Sequence, residues 1–473
     1  MFMQIHLRYT GRRRFVLPLL LTAALCGALL PWAAPARAAQ QADVGFGTAA
    51  LSAPESGPEN SDPGYYSSHS WQGQRLYFGR GQLWDLLAVN SRSLLLFSSD
   101  VLHDRDTDTA RKLAFDSGGS NDWNASSLRA WLNGSGCLQN TAFFDDTERS
   151  LIAGPVEIPD RAQMVRRDYG FSGQPDPDGT RRASLPYWLR DPGSGDGYAS
   201  FVCQFGSVFQ AGNAVTDSEL AGVRPLLKLD ARRVFLTVRG GTVKSTFGAV
   251  STTQASGSQP WLLTVRDGST GFRTRQPARA VAAKGSVIKV KVTDPGRGTH
   301  NHISALLLDH SGHVTAYGFS TVAGTKTGTY RFTVPASLPA GTYRLKIFAE
   351  NAAQTTADVR SLDTAGSAAA STLVVRTESR PARAAVSRLR GKKRKVSVTV
   401  RKVPAASGYQ IGWARQKKNA AKARRTVSGR SLTIRGLRAK KKYYVCARAY
   451  WARTDGTRAY GKWSRIKKVT VKK

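Results

Sequence analysis

The side chains able to do chemistry fall into four groups. Cys137 and Cys203 share the first long segment, Cys446 lies near the end, and Cys26 sits in an apolar N-terminal run. Thiols bridge, bind metal or react, but neither Cys137 nor Cys203 stands in a motif that activates a thiol. The run DVLHDRDTDTARK sets Asp100, Asp104, Asp106 and Asp108 close together. Alternating acids suit calcium, yet the glycine and terminal glutamate of a calcium loop are missing, so a solvated acidic loop is the expectation. His300, His302, His310 and His313 have a spacing open to zinc, and solvated loop histidines are again the plainer reading. There is no Gly-rich phosphate loop, HExxH or GxSxG. No catalytic residue and no cofactor is therefore expected, with calcium the single alternative. The fourth group is basic: RGKKRKVSVTVRK, RQKKNAAKARR and RAKKKYY carry Lys392, Lys393, Arg394, Lys395, Lys417, Lys418, Lys440, Lys441 and Lys442. Such runs ask for a polyanion.

A different constellation, PYWLRDPGSGDG, reads as architecture. Trp188 would bury its ring under a loop, and Arg190 would use its fork of donors on carbonyls or a carboxylate. Asp191, Pro192 and Gly193 turn the chain outward. Arg224 and Pro225 in GVRP, and Trp131 in LRAWLNG, are expected to anchor the same domain. The functional alternative is that the outgoing loop, Gly193 to Tyr198, rims a ligand site.

The charge is uneven. The chain has 473 residues and a formal net charge of +38. Residues 378–473 hold 31 Lys and Arg against two acids, Glu378 and Asp455, a balance of +29. Residues 71–230 hold 16 Lys and Arg against 20 acids. Charge beyond what solubility needs, confined to one segment, points to a binding role for that segment.

Arg12, Arg13 and Arg14, the apolar run Phe15 to Leu30 and the small-residue site Ala36-Arg37-Ala38 have the layout of a secretory signal peptide over 1–38. Export is expected, with no later transmembrane segment. Cleavage removes Cys26, and in an oxidising compartment a Cys137–Cys203 bridge is the favoured pairing, with two separate buried thiols as the alternative.

Residues 39–67, rich in Ala, Gly, Pro and Ser, read as a disordered leader. Over 68–238 strand and helix patterns mix. Leu128, Trp131 and Leu132 share a helical face after Ser126 or Ser127, and DDTERSLIAG starts on a capping Asp145 or Asp146 with Glu148 in the first turn. From 239 to 376 helical signals vanish. YRFTVP and YRLKIF alternate around a Pro-Ala-Gly turn, as half-buried sandwich strands do. Residues 377–473 are again strand-like.

In this last segment Leu437 precedes Tyr443 by six positions, Val445, Ala447 and Ala449 alternate behind it, and GYQIGWA and YGKWS flank it. This is the spacing of a tyrosine corner. The segment resembles a fibronectin type III domain, which implies a binding or spacer module. LRAWLNG, AFFDDTERSLI, YWLRDPG and GVRPLLKL, in that order, resemble an uncharacterised domain family of secreted bacterial surface proteins. Asp191 and Leu226 replace a serine and an alanine usual there. Its closing motif resembles that of sulfatase-modifying-factor and C-type-lectin-like domains. The middle segment is similar to an Ig-like sandwich that often accompanies the family.

The expected architecture is thus multidomain: an α+β C-type-lectin-like head, an Ig-like sandwich and a basic fibronectin type III sandwich. The expected function is that of a secreted bacterial surface or adhesion protein. Its head would take a glycan, host or envelope ligand, and its basic end would hold an anionic cell-wall polymer or surface glycan. Nucleic acid is not expected as a physiological partner. The alternative is a secreted enzyme acting on a glycan or peptide through the head.

Overall fold

The computed structural model describes residues 44–57, 71–104, 107, 109–172, 179–239, 245–250, 259–267, 271–296, 300–351 and 363–473. The expected signal peptide, Asp106 and Asp108 lie outside them. Among the described residues no helix is long and apolar enough to cross a membrane.

The N-terminal part comprises β1 (Val44–Phe46), β2 (Arg75–Phe78), β3 (Gln82–Val89), β4 (Ser93–Ser98), α1 (Ser127–Asn133), α2 (Asp146–Arg149), α3 (Arg161–Met164), β5 (Tyr187–Pro192), β6 (Tyr198–Val202), β7 (Val208–Ala214), β8 (Leu226–Asp230) and β9 (Val234–Arg239). β2, β3, β4 and β8 pair in that order, and β5, β6 and β7 form a separate three-stranded sheet. Ser126 caps α1 by accepting from Arg129 N, and Asp145 and Glu148 complete a capping box on α2. The three helices have seven, four and four residues, so the helical share of the expected α+β head is small. Loops fill the rest, which is why single side chains carry much of its cohesion.

Glu148 shows how. It is buried, and its carboxylate accepts from Gly79 N and Arg80 N at 3.0 and 3.1 Å. Those residues turn β2 into β3 with positive φ at Gly79, Arg80 and Gly81. A Cβ on Gly79 would fall 2.7 Å from the Phe144 ring, so this turn needs glycine for space as well as for φ.

The second part comprises β10 (Gly248–Ala249), β11 (Trp261–Arg266), β12 (Arg273–Arg275), β13 (Arg279–Ala283), β14 (Val287–Asp294), β15 (His302–Leu308), β16 (Val314–Phe319), β17 (Gly328–Thr333), β18 (Gly341–Glu350), β19 (Asp363–Ser367) and β20 (Ser371–Arg376). β12, β14 and β17 make one layer of a sandwich, and β16, β15, β18, β20 and β13 make the other. Ile288, Val290, Val292, Tyr330 and Phe332 of the first layer meet Ala305, Leu307, Leu345, Ile347 and Leu373 of the second.

Two expectations are corrected here. The leader is not disordered throughout: β1 pairs antiparallel with β9, Leu51 is buried in the head core, and Gly57 N donates to Arg167 O at 2.9 Å. Nor does 238/239 separate two bodies. β10 pairs with β16 of the sandwich, but β11 returns to pair with β9 and β2, burying Trp261, Leu263 and Val265 in the head core. Among the described residues, one hydrogen-bonded sheet of fourteen strands therefore runs through both parts.

The third part comprises β21 (Val386–Lys392), β22 (Lys395–Val400), β23 (Gly408–Ala414), β24 (Ala423–Val427), β25 (Ser431–Arg435), β26 (Lys442–Ala452), β27 (Arg458–Tyr460) and β28 (Lys467–Thr470). β21, β22 and β25 face the sheet of β24, β23, β26 and β28 across a core of Val396, Val398, Ile411, Val445, Ala447 and Ala449. This is a fibronectin type III-like sandwich. Leu437 and Tyr443 are buried, and the tyrosine hydroxyl accepts from Arg438 N at 3.2 Å, which makes the corner. Trp451 packs on Val281 and Val374 of the middle sandwich and joins the two.

Candidate functional site

In the head, the chemistry-bearing side chains are spent on the fold. Trp188 is fully buried, and its Nε1 donates to Leu113 O at 2.8 Å. Arg190 pairs with Glu157 and Asp160. Asp191 accepts from Arg161 N at 2.6 Å, and Pro192 O accepts from Ser200 Oγ at 3.2 Å. Gly193 N donates to Tyr198 O at 2.7 Å, and a Cβ there would meet Ala211 O at 2.4 Å. Trp131 is half-buried edge-on to Phe143. Arg224 is 1% exposed, yet it donates to Ser98 O, Ser99 O, Arg181 O and Asp85 Oδ2, while Phe97 lies 4.0 Å under its guanidinium carbon. Pro225 O accepts from Ser98 N at 2.9 Å. Pairing with good hydrogen bonds is what makes a buried charge tolerable.

The loop after Trp188 leads to an aromatic surface. Phe115 and Trp188 pack inside, Phe201 sits edge-on to Trp188, and Phe209 stacks on Phe201 with centroids 4.9 Å apart. Phe209, Tyr198 and Phe205 are 47, 45 and 57% exposed. Phe209 thus exposes the outer end of a column that begins in the core, whereas Tyr198 starts β6 and Phe205 lies in the turn after it. A large exposed aromatic backed by a buried one suits a contact surface.

The expected Cys137–Cys203 bridge is not made. Cys137 is buried in the head core just after α1, whereas Cys203 lies in the β6–β7 turn, where its N donates to Ser207 O. The two stand on different structural pieces, and a bridge needs Cα atoms within about 7 Å. Asp100 is committed to Ser184 and Asp104 to Arg111. His300 is buried beside Asp267, His302 stacks on Phe319, and His313 lies beside Asp309, so the four histidines do not converge. Among the described residues, no three His, Cys, Asp or Glu side chains form a group suited to a metal.

The basic residues do converge. Lys392 to Lys395 form the β21–β22 hairpin, and Leu437 N donates to Arg394 O at 3.1 Å, which lays the loop before β26 against it. Lys440 N donates to Val471 O, Val471 N to Lys441 O, and Lys472 N to Lys392 O. β23 runs antiparallel to β26 with Ala414 opposite Tyr444, so the turn carrying Lys417 and Lys418 emerges at the end where Lys442 begins β26. One pole of the sandwich thus gathers all nine expected cations. Eight are exposed and Lys395 is partly so. Exposed Arg435, Arg438 and Lys472 join them, which spacing along the chain does not reveal. Among the described residues none of these cations has an ion pair. Of the segment's two acids, Glu378 pairs with Arg376, and Asp455 turns the chain between β26 and β27 at the other pole.

Two of these cations also hold strained backbone. Arg394 and Lys440 have φ of 50° and 59°, the left-handed region that glycine fills at no cost.

No protein-family model and no curated protein matches the chain. Among solved structures, the FN1–FN3 domains of chicken CNTN1 are similar at 16% identity over 55% of this chain and 82% of that one, with a TM-score of 0.27. An Fn3-like protein from Clostridium thermocellum is similar at 16% identity over 20% of this chain and 93% of that one, with a TM-score of 0.15. At such scores the sandwich assignment rests on this chain's own strand pairing and tyrosine corner.

Proposed function

We propose that this chain is a secreted surface-binding protein. Its lectin-like head carries the recognition surface, and the cationic pole of its last domain holds an anionic polymer of the cell envelope. The carrying observation is the gathering of cations from four separate stretches onto one pole without acidic partners. A sandwich gains nothing from such repulsion, so the charge is accounted for by a ligand. For the head, the exposed Phe209, stacked on Phe201 at the end of a buried aromatic column, supports a ligand that stacks, such as a glycan.

The test is retention of the full chain on purified anionic cell wall. Lys440→Glu, Lys441→Glu and Lys442→Glu together are expected to reduce retention strongly while leaving the thermal midpoint near that of the parent. Wall stripped of its anionic polymer should retain neither protein. Equal retention on stripped wall would remove the basis of the reading.

A further inference from the structure

A second group of cations lies far from that pole, at the seam between head and middle sandwich. Phe46 of β1 and Phe235 of β9 meet edge to face, with centroids 5.7 Å apart. Arg266, the last residue of β11, sets its guanidinium carbon 5.9 Å from the Phe46 centroid and 5.3 Å from that of Phe235. From β18, Lys346 Nζ lies 5.0 and 5.8 Å from the same two rings, and the Arg344 guanidinium lies 5.8 Å from Phe46. Arg266 and Arg344 are exposed and Lys346 is partly buried. Three cationic heads thus share one aromatic floor, and among the described residues none of them has an ion pair.

The arrangement is costly when unoccupied. Burial pushes the Lys346 ammonium below its ordinary value, and Arg266 and Arg344 push it further down. Arg266, exposed at its edge, still loses part of its hydration against the rings and is lowered as well. Ring faces return only a small part of this to a cation that stays in contact with water. The fold does not require the charges. Arg344 and Lys346 lie on the same face of β18 as the buried Phe348, opposite Leu308 and Leu306 of β15, where apolar side chains would continue the packing.

We propose that Arg266, Arg344 and Lys346, above Phe46, form a binding site for a phosphate or sulfate ester group. Two guanidinium forks suit the several oxygens of a tetrahedral oxyanion, and the ammonium adds a point charge. A phosphate monoester carries about −1.5 to −2, and both it and a sulfate ester offer three terminal oxygens to share among three cations, where a carboxylate offers two. The occupant would touch the former leader, the head and the middle sandwich at once, so binding would stabilise the seam.

Thermal unfolding and calorimetry of the full chain, titrated with inorganic phosphate, inorganic sulfate or acetate at constant ionic strength, test this. Phosphate and sulfate are expected to raise the midpoint saturably, and acetate is not; the relative strength of the first two tells which ester the site prefers. Lys346→Met should abolish the saturable rise and lift the anion-free midpoint, because repulsion is relieved. Arg344→Gln, at an exposed position, should weaken binding by about tenfold. The triple Lys440, Lys441 and Lys442 to glutamate variant should retain the rise, which separates this site from the pole. An unchanged saturable rise in both Lys346→Met and Arg344→Gln, or none with phosphate or sulfate in the parent, would overturn the assignment.

Discussion

The head and the last sandwich use charge in opposite ways. In the head nearly every notable ion has a partner: Arg224 with Asp85, Arg190 with Glu157 and Asp160, Glu148 with the backbone of the Gly79 turn. Short helices and long loops leave little periodic structure to bury, so buried polar groups specify where loops lie. In the last sandwich the core is apolar and self-sufficient, and the cations stand unpaired at its pole. Where charge is paired, its loss should cost stability. Where it is unpaired, its loss should cost binding alone.

The largest effects should therefore come from the head. Arg224→Ala leaves Asp85 with Arg75 and Ser99 alone and strips the carbonyls of Ser98, Ser99 and Arg181 of a buried donor, and is expected to destabilise the head by about 3 kcal/mol or more. Trp188→Ala should cost a similar 3–5 kcal/mol through the cavity it opens. Denaturant midpoints of the full chain, with tryptophan and far-UV signals compared, measure both. A Trp188→Ala protein as stable as its parent but deficient in ligand binding would reverse the division.

Smaller and of opposite sign is the effect expected at the strained turns. Arg394→Gly and Lys440→Gly should each stabilise by about 0.5–1 kcal/mol, relief of left-handed strain less the added freedom of glycine in the unfolded chain. The same variants should bind wall less well. A loss of stability would mean that the side chains serve the fold after all.

Acid should act on the head. Burial raises the Asp116 carboxyl, but the N–H groups of Ser120, Ser127 and Gly118 outweigh that and hold it below its ordinary value. A lowered folded-state value gives stability that is present above the carboxylate range and lost as pH falls through that value. Asp116→Asn should cost about 1–2 kcal/mol at neutral pH, and the gap to the parent should close below about pH 4. Urea midpoints at the two pH values show it.

The smallest effect is one of reactivity. Burial pushes the Cys446 thiol up to about 11, and Cys137 is buried too. Alkylation of the native chain at mildly basic pH should mark Cys203 first and reach the others on unfolding. Protection of Cys203 until a reductant is added would restore the bridge.

Much of this was legible locally. Ser126 or Ser127, and Asp145 or Asp146 with Glu148, announced two helix starts, of which the fold uses Ser126 and Asp145, and the Leu437–Tyr443 spacing announced the corner, because caps and corners are made by neighbours in sequence. The exposed-side alternation of β17 was legible for the same reason. What escaped depends on distant partners. Val44–Phe46 is too short to signal a strand and exists because β9 offers an edge. β11 reads as part of the middle segment until its pairing with β2 and β9 is seen. In β15, Ile303 to Leu308 are all buried, because the sandwich core covers one face and Phe235, Leu236 and Val238 of β9 cover the other. A strand covered on both faces loses its alternation, and with it the sign of which domain it serves. The convergence of basic runs at one pole was hidden likewise, since it depends on β23 and β26 running antiparallel.

The measurement closest to the central claim is the salt dependence of binding to purified anionic wall polymer, made on the full chain and on the triple lysine-to-glutamate variant at 440–442. Charge attraction is screened over about 8 Å at physiological salt. For linear polyanions such as nucleic acids, the logarithm of affinity falls with the logarithm of salt by about 0.7–0.9 per neutralised charge. The account predicts a steep slope for the parent and a slope shallower by at least about two for the variant, with unchanged thermal midpoints. Parallel slopes, or affinity indifferent to salt, would contradict it.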